Sequence, residues 1–222
     1  MRNPAVAYFP VLKASPDRLI GRDAAAEAVE EVETMFGERQ DVVDVRGFYL
    51  TFGFRADADL MMWWIASSPD DLQDVLAAFL RTRLGRGFSL TRAFMGIHRP
   101  PEVAQDHVPA FLSHERPRRY LCTYPFVRTA EWYQLPRAER AALLREHGEM
   151  GREFPSVLAN TTSGFGLGDG EWILAFESDV VTDLVDCLRR LRDATARTYT
   201  KEDVPFVTGI RRELREAVSY LV

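Results

Sequence analysis

Along the first part of the chain, apolar segments of strand length alternate with stretches in which apolar residues recur at helical spacing. Residues 6–14 form an apolar segment of strand length, and two more such segments cover 48–54 and 60–66. Between and after them, apolar residues recur at helical spacing, and residues 90–97 again favour a strand. The order strand, helix, strand, strand, helix, strand predicts one βαββαβ unit. The two helical stripes consist of Ala25, Ala28, Val29, Val32, Met35 and Phe36, and of Leu72, Val75, Leu76, Phe79 and Leu80.

The same order returns after a connector punctuated by four prolines between residues 100 and 117. We therefore expect an α+β protein with two ferredoxin-like βαββαβ halves, which form a barrel-like antiparallel sheet with helices outside. The chain is interpreted as one domain of 222 residues, with a first half at 1–98, a connector at 99–118 and a second half at 119–222. The second half is expected to contain strands at 120–128, 157–165, 171–177 and 197–208, and helices at 137–154 and 180–192.

Composition and charge exclude several classes of function. A net charge of −5, with 28 basic residues dispersed among 33 acidic ones, argues against nucleic-acid binding. The chain has no apolar run long enough for a membrane span and no secretory signal, so a cytoplasmic location is expected. Its two cysteines, Cys122 and Cys187, are expected to be buried thiols. Nucleotide-binding, nucleophile-elbow and zinc-protease motifs are absent.

His147 interrupts an apolar helical face. Leu143, Met150 and Phe154 share this face at helical spacing. A buried imidazole without a partner costs a few kcal/mol, so His147 requires either a hydrogen bond or a ligand. Both alternatives remain open at this point.

The strand at 120–128 has an unusual face for a core. Tyr120, Cys122, Tyr124, Phe126 and Arg128 alternate onto one side of it. Aromatic rings beside a guanidinium suit a flat apolar ligand that carries carboxylates, since Arg pairs with carboxylate in a bidentate manner. A tyrosine and an arginine at the rim of a barrel would give the same pattern, and the residues alone do not decide between the two.

Several segments together resemble the coproheme decarboxylases of actinobacterial type, within the chlorite dismutase-like group. The resemblance runs from about Val45 to Gly209. It rests on the order and spacing of the segments more than on any single one. The segments are 55–59 (RADAD), 98–100 (HRP), 107–111 (HVPAF), 124–128 (YPFVR), 131–133 (EWY), 147–148 (HG), 167–176 (LGDGEWILAF) and 204–209 (VPFVTG).

The resemblance implies a role for each matching residue. His147 would be the proximal ligand of the iron, and Tyr124 would become the radical that attacks the propionates of the substrate. His107 would be the distal histidine and a general base for peroxide. The remaining matches would bind propionates or line the pocket, and they are Arg128, Arg197, Trp132 and Trp172.

One position separates this chain from true chlorite dismutases. Those enzymes carry a distal Arg about thirteen residues after the proximal His, a spacing that falls on Asn160 here, between Ala159 and Thr161. Asn160 is therefore expected at the cofactor in place of that Arg, and chlorite decomposition ranks below decarboxylation.

The implied function is the peroxide-dependent conversion of coproheme (Fe-coproporphyrin III) to haem b, in which two propionates become vinyl groups and carbon dioxide is released. Coproheme would be both substrate and redox cofactor, with iron as its metal. The resemblance also implies a homopentamer and contact with a ferrochelatase. The alternatives are a haem-dependent peroxidase, a chlorite dismutase-like haem protein, a porphyrin carrier without catalysis and a ligand-free ferredoxin-like scaffold protein.

Overall fold

The structure divides the chain into two compact units. It is a computed structural model, and it describes residues 5–17, 20–100, 108–113 and 115–222. Met1–His98 and Val207–Val222 form the first unit, and Arg99–Phe206 forms the second. Within the described ranges, no helix is long and apolar enough to cross a membrane. In chain order the elements are β1 (Val6–Ala14), α1 (Arg22–Gly37), β2 (Val43–Arg55), β3 (Ala58–Ala66), α2 (Pro69–Arg81), a 3-10 turn (Gly85–Gly87), β4 (Phe88–Ile97), β5 (Tyr120–Arg128), α3 (Ala130–Gln134), α4 (Arg137–Arg152), β6 (Leu158–Ser163), β7 (Trp172–Ser178), α5 (Val181–Arg190), two 3-10 turns (Leu191–Asp193 and Thr195–Tyr199), β8 (Thr200–Glu202), β9 (Val207–Arg212) and α6 (Leu214–Ser219).

The first unit is an antiparallel sheet with strand order β4-β1-β3-β2-β9. Its helices α1 and α2 bury the two stripes that the sequence predicts, so those predictions are confirmed. The stripes pack against strand residues of one parity, such as Leu12, Leu60 and Trp64. The ring of Phe36 lies 5.6 Å from that of Trp64. Burial of each large apolar side chain contributes about 1.5–3 kcal/mol, so this face supplies much of the stability of the unit.

The C-terminal segment differs from the prediction. In place of a strand over 197–208 the structure has a 3-10 turn followed by the short β8, which pairs with β5. The chain then joins the first unit, where β9 pairs with β2. The physical reason is burial, because Leu214, Ala217 and Val218 of α6 complete the first core. The second half expected at 119–222 therefore ends, as a compact unit, at Phe206.

The second unit carries a sheet with strand order β6-β7-β5-β8. Its helices α4 and α5 lie within one or two residues of the predicted boundaries. The two cysteines are free and buried in the core of this unit, as expected. The α+β class, with antiparallel sheets and helices, is confirmed.

Gly85 provides a test of the packing of the first unit. A Cβ at this position would lie 1.9 Å from the backbone oxygen of Phe79, whereas a Cβ at Gly37 would meet nothing within 4 Å. We expect Gly85→Ala to cost about 2–3 kcal/mol through overpacking, and to lower the midpoint of thermal unfolding by roughly 5–10 °C. Gly37→Ala is the control and should leave the midpoint unchanged or slightly raised. Equal melting of the two variants would contradict this packing.

Candidate active site

A cavity of about 310 Å³ lies against one face of the sheet in the second unit. This volume is at the lower end of the range for small-molecule sites, roughly 300–1,000 Å³. The other walls come from α4, α5 and the segment from Ala196 to Phe206. Six of the predicted site residues line it, namely Tyr124, Arg128, Trp132, His147, Trp172 and Arg197.

The sheet wall follows from the strand period of two. On β5, Tyr124, Phe126 and Arg128 point to the same face. On β7, Leu174 pairs with Tyr124 and Trp172 pairs with Phe126, so these side chains join the same surface. The face that the sequence left undecided is therefore the wall of a cavity.

His147 reaches the cavity from α4 and is half-buried. Burial, and next the positive charge of Arg128, lower the pKa of its imidazole, while Glu146 opposes this shift. The ring is therefore neutral at pH 7. It makes no hydrogen bond to another residue within the part of the chain that the structure describes. A neutral imidazole has a nitrogen lone pair available for a metal ion, so the ligand alternative is compatible with this environment.

Tyr124 is a buried residue of the sheet wall of the cavity. Its ring stacks on Phe176 at 6.1 Å and contacts Phe206 at 4.5 Å between centroids. Burial is the main cause that raises the pKa of its phenol far above the usual value. The phenol thus keeps its proton at any physiological pH, and any oxidation of Tyr124 must remove a proton with the electron.

Arg128 is held between two aromatic rings. Its guanidinium carbon lies 4.6 Å from the Phe126 centroid and 4.1 Å from the Trp132 centroid. Its Nη1 donates to the backbone oxygen of Ala196 at 2.7 Å. Burial lowers the pKa of Arg128 to about 10, so it remains a cation near pH 7. A fixed, partly desolvated guanidinium is suited to bind a carboxylate.

Arg197 belongs to a group that the sequence did not reveal. Its Nη1 donates to Oδ2 of Asp203 at 2.7 Å, and Nη2 of Arg192 donates to the same oxygen at 2.9 Å. All three side chains line the cavity. Periodicity could not identify Asp203, because it follows the short β8 in an irregular segment; its place directly before the 204–209 segment was the only signal.

The structure corrects the expectation for Asn160. This side chain does not line the cavity but is buried, where Oδ1 accepts from the backbone N–H of Phe111 at 3.2 Å. Its Nδ2 donates to the backbone oxygen of Ala175 and to Oε1 of Glu177, each at 3.2 Å. Thr161, which points to the opposite face of β6, lines the cavity instead.

The predicted distal histidine, His107, lies outside the described residues. Among the residues that are described, no three His, Cys, Asp or Glu side chains come together as a metal site. His147 is the one histidine in the described lining of the cavity.

Together these features indicate the class of ligand that the cavity can bind. The wall is largely aromatic and apolar, and its ionisable groups include three guanidiniums, one carboxylate and a neutral imidazole. A planar apolar ligand that bears several carboxylates and a metal ion would fit this donor set. The cavity can bind such a ligand, shield it from water and place a buried phenol beside it.

Comparisons with known proteins agree on one family. A family model described as chlorite dismutase matches residues 22–212. The chain is 42% identical to a coproheme decarboxylase of Mycolicibacterium smegmatis, over 99% of this chain and 96% of that protein. It is 27% identical to a coproheme decarboxylase of Thermus thermophilus, over 84% of this chain and 81% of that protein.

The fold is also found among solved structures. A chlorite dismutase from Candidatus Nitrospira defluvii superposes with a TM-score of 0.88 at 23% identity, covering 100% of this chain and 96% of that one. This likeness establishes the fold and confirms the predicted fold class.

Asn160 and Thr161 provide a test of which side of β6 faces the cavity. Asn160→Ala would remove the buried hydrogen bonds of this side chain to the Phe111 N–H and the Glu177 carboxylate, so we expect a loss of about 2 kcal/mol in the free energy of unfolding. That loss corresponds to roughly 4–8 °C in the melting midpoint. Thr161→Ala, the neighbouring control, should change the free energy by no more than about 0.5 kcal/mol. The opposite order of effects would reverse the assignment of the two faces.

Proposed function

The chain belongs to the chlorite dismutase family, and we propose that it is a coproheme decarboxylase, which uses hydrogen peroxide to convert coproheme to haem b. The observation that carries the proposal is one cavity that gathers His147, Tyr124, Arg128 and Arg197. A metal ligand, an oxidisable phenol and carboxylate-binding guanidiniums are the groups that this reaction requires.

The reaction balances for each propionate separately. A –CH₂–CH₂–COO⁻ side chain loses one hydrogen from its β-carbon, releases carbon dioxide and gives up two electrons in all. Peroxide accepts the two electrons and, with protons, becomes two molecules of water. The bound iron of coproheme supplies the centre at which peroxide is activated. Two such rounds turn two propionates into vinyl groups.

His147 would bind the iron through its neutral imidazole. The lowered pKa keeps the ring unprotonated, so a proton does not compete with the metal near pH 7. His147 would reach the iron from α4, which lies across the cavity from the sheet wall that carries Tyr124.

Tyr124 would carry out the hydrogen abstraction. The phenol loses an electron and its proton together, because burial disfavours both the phenolate and a cationic ring. The resulting tyrosyl radical takes a hydrogen atom from the β-carbon of a propionate and becomes a phenol again. Phe176 and Phe206 pack against the ring and reduce its contact with water.

Arg128 and Arg197 would bind propionates and so position the β-carbon near Tyr124. Trp132 and Trp172 give the macrocycle an apolar wall, and Trp132 also fixes Arg128. His107 is proposed as the base that takes the proton of peroxide, on the family resemblance alone. A chlorite-decomposing activity is disfavoured, since β6 contributes Thr161 and no arginine to the cavity.

The resemblance also leads us to propose a cytoplasmic homopentamer that receives coproheme from a ferrochelatase. A molar mass near that of one chain in light scattering would remove the pentamer from this proposal.

The proposal predicts the products of peroxide titration. Under anaerobic conditions, the protein loaded with ferric coproheme should release two molecules of carbon dioxide in sequence, through a three-propionate intermediate visible by mass spectrometry. In Tyr124→Phe we expect intact porphyrin binding, with vinyl product reduced about 100-fold or more, or about 2.7 kcal/mol in the activation barrier. Tyr120→Phe removes a phenol from the same strand but outside the cavity, and should retain activity. Substantial haem b from the Tyr124 variant would eliminate the radical role.

A second prediction separates iron ligation from cavity shape. His147→Ala should fold, because the imidazole makes no hydrogen bond to a described residue. Its affinity for ferric coproheme should fall at least about tenfold, or about 1.4 kcal/mol, with loss of the five-coordinate ferric spectrum. Affinity for metal-free coproporphyrin III should change little, and added imidazole should restore the ferric spectrum. An unchanged spectrum in the variant would show that another residue binds the iron.

A further inference from the structure

A carboxylate stands in the wall of a cavity that we propose to receive a tetracarboxylate. Asp203 lines this cavity, and its side chain is only 16% exposed. The other charged groups of the lining are Arg128, Arg192 and Arg197, so the net charge of the wall is +2 while His147 is neutral. By charge alone, Asp203 opposes the binding of propionates. Its presence therefore calls for a compensating role.

The contacts of Asp203 indicate that role. A single oxygen, Oδ2, accepts from Nη2 of Arg192 at 2.9 Å and from Nη1 of Arg197 at 2.7 Å. The two arginines come from different 3-10 turns, Leu191–Asp193 and Thr195–Tyr199. Their side chains are 45% and 34% exposed, and two guanidiniums this close repel each other. Without the shared carboxylate, both would gain freedom to turn towards solvent.

The arrangement leaves both guanidiniums able to bind a ligand. Each uses one amino group on Asp203, and neither donates from its remaining N–H groups to another described residue. An arginine has five N–H donors in a fixed plane, so a carboxylate of the ligand can still pair with each of them. Arg192 is half-exposed and lines the cavity beside Arg197, and it is not among the residues to which the family resemblance assigned a role.

We infer that Asp203 is a positioning residue that holds Arg192 and Arg197 as a pair of propionate-binding groups, with Arg192 a substrate contact in its own right. This inference rests on the proposed function, because it takes the carboxylates of coproheme as the ligand. The negative charge of Asp203 lowers the attraction of the wall for propionates, and the fixed geometry of the two guanidiniums outweighs that loss.

Binding of metal-free coproporphyrin III, followed by quenching of its fluorescence, tests the inference without iron and without catalysis. Arg192→Ala should weaken binding about tenfold, or about 1.4 kcal/mol. Asp203→Asn should weaken it several-fold, even though the wall gains a positive charge. Asp203→Glu keeps the charge and should recover part of the affinity. In the double variant Arg192→Ala with Asp203→Asn, the fold-loss of affinity should be smaller than the product of the fold-losses of the two single variants. Both substitutions act through Arg192, so their effects overlap.

Matched controls lie close by. Asp193 pairs with Arg190 at 3.2 Å, and neither residue lines the cavity. Asp193→Asn and Arg190→Ala make the same changes of charge and should alter the affinity less than twofold. During turnover with peroxide, Asp203→Asn should raise the KM for coproheme and leave kcat nearly unchanged. A merely structural residue would move the melting midpoint without this division between KM and kcat.

The outcomes separate the inference from the proposed function. If Asp203→Asn binds coproporphyrin III as tightly as the wild type or more tightly, Asp203 only subtracts charge and the positioning role is overturned. Unchanged affinity in Arg192→Ala overturns the contact assigned to Arg192. A loss of kcat at constant KM in Asp203→Asn also overturns the positioning role. A wild-type protein that binds no coproporphyrin III would overturn the proposed function itself, and the inference with it.

Discussion

The pairing of β5 with β7 is the constraint on which the site depends. It sets Tyr124 opposite Leu174 and Phe126 opposite Trp172. Because side chains alternate between faces, a slip of one residue would turn Tyr124, Phe126 and Arg128 away from the cavity together. The two strands approach closely in this register, since a Cβ at Gly170 would lie 2.7 Å from that of Pro125. This alignment therefore requires a residue without a side chain at position 170, where it approaches the proline of the facing strand.

Periodicity predicted most of the fold for a physical reason. The stripes of α1 and α2 and the central strands are long enough for burial to decide their structure, and the structure confirms them. The final segment was assigned to the wrong half because a short strand and a short amphipathic helix carry no information about which sheet edge they join. Pairing of β9 with β2 and burial of α6 depend on contacts that are distant in sequence.

The site was predictable where its residues sit on regular elements. Tyr124, Arg128 and His147 drew attention because polar groups occupied apolar positions of a strand face and a helix face, and the family resemblance then assigned a role to each. Asn160 was misplaced because counting residues from His147 does not determine which face of β6 meets the cavity. Asp203 was missed because a carboxylate in an irregular segment has no periodic pattern to interrupt. Its importance appears only when the chain brings Arg192 and Arg197 to it.

The return of the chain to the first unit determines how the protein responds to truncation from its C-terminus. The cavity-bearing unit, 99–206, is an insertion in the connectivity of the first unit, whose sequence resumes at Val207. Deletion from the C-terminus would thus remove α6 from the first core and β9 from its pairing with β2 before it reached a single residue of the cavity. A C-terminal truncation is therefore a stability mutation, although the segment that it removes begins directly after Phe206 of the cavity wall. The integrity of the last sixteen residues governs how much folded enzyme exists, and it leaves the composition of the cavity wall unaltered.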